Sequence, residues 1–145
     1  MDTELTTKAK TINTNNSLLK KVMNLAKVPT IIALLIALVR FVLELSGLPE
    51  NAIFIIGLLW FTLGFSIYLG FKLYLESRAL QMLLLTLVLF APISRIPVAI
   101  LWWIDSELAI GTHYGLYFDN FPQALLNHVI YGSLVQIIPG FHYLL

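Results

Sequence analysis

From Pro29 onward the chain alternates long apolar runs with short polar breaks, and the runs set the architecture. They cover about 29–46, 52–74, 79–104 and 121–145, each close to or above the roughly 20 residues that a helix needs to cross a hydrocarbon core. Pro29 opens the first run, and Gly47 and Pro49 stop it. The third run contains Pro92 and Pro97. Dividing it at either proline leaves pieces too short to cross, so one kinked helix is expected. The fourth run is less apolar and counts as a span because nothing else would cover Leu134 to Leu145. The expected fold class is all-α, an integral membrane four-helix bundle with a short amphipathic N-terminal helix.

That leading helix is read from 17–28. Leu18, Leu19, Val22, Leu25 and Ala26 recur at helical spacing, Lys20, Lys21, Asn24 and Lys27 take the other face, and Ser17 suits an N-cap. Such a segment fits a membrane surface with anionic headgroups, and it fits equally well as an ordinary lead-in to the first span. Residues 1–16, rich in Thr, Asn and Lys, read as a disordered cytoplasmic tail.

Composition agrees with this pattern. Hydrophobic residues make up 59% and charged residues 12%, where a soluble domain is nearer half apolar and a quarter charged. A net charge of +1 and the lack of a basic aromatic motif give no reason to expect a nucleic-acid partner. The chain has no cysteine, which excludes disulfides, thiol nucleophiles and thiolate metal sites. Lys8, Lys10, Lys20, Lys21 and Lys27 precede the first run, and Lys72 and Arg78 flank the second break, whereas 48–51 and 105–120 carry no lysine or arginine. The positive-inside rule then places both termini in the cytoplasm of a multi-pass inner or plasma membrane protein. Trp102, Trp103 and the tyrosines and phenylalanines that follow fit an outer aromatic belt.

Depth counting brings the candidate chemistry together. Arg95 is ten residues before Asp105, roughly 15 Å below the outer boundary at 1.5 Å per residue. His128 is at similar depth on the antiparallel fourth run, and Arg40 is roughly 10 Å in on the first, with Glu44 one turn outward. An arginine near a helix centre costs about 2.5–3.5 kcal/mol on insertion scales, so Arg95 is expected to face protein, with Glu44, Asn127 and the carbonyls freed by the prolines as acceptors. The expected polar core is Arg40, Glu44, Arg95, Asn127 and His128. On the fourth run, Gln123, Asn127 and Tyr131 form one row and His128, Gly132 and Gln136 the next, so this helix is expected to be central or to face a second subunit. Gly57 and Gly64 suggest a close-packing seam on the second.

The loop over this layer holds Asp105, Glu107, His113, Tyr114 and Asp119, read either as a mouth to the polar layer or as a solvated connection in which Asp119 or Asn120 caps the last span. No metal site is expected, because no ligand spacing is met. Ser94 or Ser133 with His128 lacks a nucleophile elbow, and no cofactor fingerprint appears. The sequence favours a non-catalytic protein that binds or helps transport an anionic solute or lipid headgroup. The alternatives are an accessory or scaffold subunit of a membrane complex and a metal-dependent membrane enzyme. Expected partners are the lipid bilayer and either further copies of the chain or another membrane protein.

Overall fold

A computed structural model of the chain describes residues 2–115 and 117–142, with side chains from Ser17 onward. The tail expected to be disordered over 1–16 is helical from Asp2 onward, as part of α1, and the last residues of the fourth span, 143–145, lie outside the described residues. Among those described there is no strand. The elements are α1 (Asp2–Leu45), α2 (Glu50–Ile53), α3 (Leu58–Leu73), α4 (Ala79–Leu108), a 3-10 turn (His113–Gly115), α5 (Phe121–Leu125), a π-helical segment (Leu126–Tyr131) and α6 (Gly132–His142). Among the described residues, four stretches are long and apolar enough to cross a membrane: Ser17–Leu45, Glu50–Leu73, Ala79–Leu108 and Phe121–His142.

The first, second and fourth stretches depart from their expected outline for local reasons, and the third is one helix as expected. The first passes through Pro29 without a break, so no separate surface helix is marked off at 28. Val22, Ala26, Ala33 and Ala37 form its buried stripe, and three alanines there let α1 lie close against α4. The second is interrupted. Helix α2 stops at Ile53, and α3 starts only after Gly57, whose backbone is extended at φ −121°, ψ 147°. A Cβ on Gly57 would stand 3.0 Å from the Phe54 carbonyl oxygen, so the glycine permits the tight return at this break. The third is one helix through both prolines, and it ends with Ala109 in the left-handed region at φ 48°. The fourth widens into a π-turn at 126–131 before resuming as α6.

The hub is α4, which packs against α1, α3 and α6 and is the most buried of the four stretches. The fourth run, expected to be central or to face a second subunit, is only half as buried and is not the centre of this chain's bundle. Phe90 of α4 meets Phe65 and Phe61 of α3 at ring separations of 5.3 and 6.1 Å, forming the middle of the core. The small-residue seam is not at Gly57 and Gly64. Gly140 of α6 meets Ser66 of α3 instead, where an added Cβ would come within 2.6 Å of the Ser66 hydroxyl, while a Cβ at Gly64 would meet nothing. Trp102 is buried beside Phe121 rather than in an interfacial belt, and Trp103 is half exposed.

Candidate functional site

At the end of the bundle opposite the lysines, the interruption between α2 and α3 leaves a cavity of about 160 Å³. Arg40 of α1, Arg95 of α4, His113 and Tyr114 of the 3-10 turn and His128 of the π-segment all line it, with Phe54 and Trp60 at the rim. At about 30 Å³ per water, it holds about five waters or one small polar group. The first amides of α3 have no intrahelical acceptor by position and lie at Leu58, Leu59 and Trp60, which line the same space.

Arg95 faces protein, but with a different partner from those expected. Its Nε donates to Gln136 Oε1 at 2.9 Å. Gln136 is fully buried, and its Nε2 donates to Thr62 Oγ1 at 2.8 Å and to the Leu58 carbonyl at 3.3 Å. The guanidinium therefore ties α4 to α6 and α3 through one amide side chain. Gly132 makes this possible. An added Cβ there would sit 3.3 Å from the Arg95 guanidinium. Sequence reasoning placed Gln136 and Gly132 in the row of His128 but did not include them in the site. Their spacing from His128, four residues for Gly132 and eight for Gln136, was the available signal.

Glu44 does not pair with Arg95. Its Oε2 holds His113, 2.5 Å from the ring Nδ1 and 3.2 Å from the backbone nitrogen, which fixes the outer loop to the end of α1. The Glu44 side chain is only 6% exposed, and its other oxygen has no partner. Among the described residues neither Arg40 nor Arg95 has a carboxylate within 4 Å. Arg40 Nε and His128 Nε2 are buried without a hydrogen-bond partner. Two expected core residues, Glu44 and Asn127, do not line the cavity, and Asn127 faces away from it. It bonds back to the Gln123 carbonyl at 2.8 Å, on the outward row with Gln123 and the half-exposed Tyr131.

The outer-loop residues separate into two groups. His113 and Tyr114 border the cavity, and burial pushes the Tyr114 phenol up to about 12, so it stays neutral. Phe41 meets the Tyr114 ring edge-on at 5.9 Å. Asp105 is 2% exposed and accepts from the Gly111 amide at 2.8 Å, the Gly115 amide at 2.9 Å, and the Thr112 amide and hydroxyl. It is a clasp that folds the loop, not a mouth. A Cβ on Gly115 would come within 3.1 Å of this carboxylate, so the glycine allows the close approach. Glu107 and Asp119 are exposed and away from the cavity. Asn120, not Asp119, caps α5 by accepting from the Gln123 amide at 3.0 Å.

Among the described residues no three His, Cys, Asp or Glu converge. The Ser94 and Ser133 hydroxyls each bond back to a carbonyl of their own helix, the Ser94 bond being 2.8 Å. No family model matches the chain, and comparison with curated proteins and with solved structures returns no match.

Proposed function

We propose that this chain is a multi-pass membrane protein with both termini in the cytoplasm, and that its outward cavity binds a small anionic group, a phosphate or carboxylate, free or on a lipid. The observation that carries the reading is the pair of arginines, Arg40 and Arg95, facing one small cavity without a carboxylate on either. Two like charges inside a low-dielectric layer repel, and an anion between them removes that repulsion while supplying the acceptor that Arg40 Nε lacks. The broken second span supports the same sign of ligand. Irregular backbone at membrane depth is tolerated where it lines a cavity, and the start of α3 brings orphan amides and the positive end of its dipole to that cavity. The orphan His128 Nε2 adds a further polar contact. Five-water capacity limits the bound part to a single anionic group.

The test is thermal unfolding of the purified full chain in detergent, at fixed ionic strength, with inorganic phosphate or acetate added. The wild type should be stabilised to a saturating limit by at least one of these anions. Arg95→Gln should insert, keep its helical content and lose that response. If Arg95→Gln loses folding and response together while Arg40→Gln responds like the wild type, Arg95 is a structural clamp and the reading fails.

A further inference from the structure

A second feature lies at the lysine-rich end, on the outside of the bundle. Between α1 and α3 runs a groove of about 510 Å³, walled by Leu25, Val28, Ile32, Phe61 and Phe65. Gly64 forms part of its floor, and because a Cβ there would meet nothing within 4 Å, the groove is open at that point. At its mouth stand Tyr68 and Lys72, where a polar recess of about 300 Å³ continues it past Asn24 and Lys21. The two hollows share Asn24, Leu25 and Lys72.

The charges at this mouth are unevenly matched. Lys21 is committed to Glu76, with Nζ–O distances of 3.2 and 3.3 Å. Lys72 has no carboxylate partner among the described residues. Its Nζ donates to the Tyr68 hydroxyl at 3.1 Å and lies 5.3 Å from the centre of that ring. A cation so held is aimed but not neutralised. Along α3, eleven residues separate Phe61 from Lys72, roughly 16 Å. Half of a roughly 30 Å hydrocarbon core is about 15 Å, so the groove is as long as one leaflet is thick. A larger groove of about 670 Å³ between α3 and α4 has no charged residue in its lining and offers no such selection.

We propose that this groove is a binding site for one anionic phospholipid of the leaflet on the lysine-rich side, with an acyl chain along Gly64 and its phosphate at Lys72 and Tyr68. The length match argues for an acyl chain and the unneutralised lysine for an anionic headgroup. The site is independent of the outer cavity, since it shares no residue with it.

Full-length protein equilibrated with mixed micelles of phosphatidylglycerol and phosphatidylcholine, then examined by native mass spectrometry, tests this directly. The wild type should retain phosphatidylglycerol over phosphatidylcholine by roughly fivefold, the preference expected from one lysine near the surface. Lys72→Gln should erase the preference, and Gly64→Leu should lower retention of both lipids by filling the groove. The loss caused by Lys72→Gln should be the same in an Arg95→Gln background, which separates this site from the outer one. Wild-type retention in both Lys72→Gln and Gly64→Leu would overturn the proposal. A shift in oligomeric state with Gly64→Leu, without loss of lipid, would also overturn it and assign the groove to a second copy. Lys72 and Gly64 are exposed, so both variants should fold, with circular dichroism as the check.

Discussion

Asp105 and Arg95 lie ten residues apart on the same helix, and their surroundings differ in kind. Four donors from 111–115 converge on the Asp105 carboxylate, leaving it nothing further to bind. Arg95 has a single bond, to Gln136, and faces a cavity that also holds Arg40. One charge is used up by folding a loop. The other is positioned by the fold and left available. A buried charge is therefore read from its remaining capacity, not from its presence alone.

The largest expected effect comes from breaking the saturated side. Asp105→Ala leaves four donors without their acceptor and should lower unfolding free energy by about 3–4 kcal/mol. It should also expose 111–115 to protease, measurable by limited digestion. Gly140→Leu comes next, because its side chain must displace Ser66 at the α3–α6 seam. A loss of about 2 kcal/mol is expected from overpacking, read by denaturant titration. Gln136→Leu removes the partner of Arg95 and should lower stability by about 1 kcal/mol, in line with interhelical hydrogen bonds in membranes. Arg95→Gln should have the smallest effect on stability, within about 0.5 kcal/mol, because it removes a costly charge along with one bond. If Arg95→Gln destabilises as much as Asp105→Ala, the contrast between the two charges is wrong.

Periodicity made the four apolar stretches legible, because a 20-residue apolar run has few other destinations. Depth counting was also enough to bring Arg40, Arg95 and His128 to one cavity, since a straight helix converts residue number into height. What it does not convert is azimuth. The π-turn at 126–131 falls between the helical rows read from the sequence, and Asn127 ends up outside the cavity that His128 lines. The break before α3 was missed because Gly57 in an apolar run reads as packing. The signal was its neighbourhood, with β-branched Ile53, Ile55 and Ile56 leading into glycine. Glu44 was matched to Arg95 by depth alone, whereas the loop that returns His113 over it is set by Asp105, a long-range contact that no periodicity encodes.

Anion binding requires the outer cavity to be reachable and positively charged. The chain has no cysteine, so a single Leu59→Cys in the cavity lining reports on it without background. The decisive measurement is the rate at which this thiol reacts with an anionic methanethiosulfonate compared with a cationic one of similar size. The anionic reagent should react at least tenfold faster, roughly the effect of one to two unneutralised charges at partial screening, and Arg40→Gln with Arg95→Gln should bring the ratio near one. Equal rates in the unmodified cavity, or a ratio unaffected by removing both arginines, would contradict an anion site there.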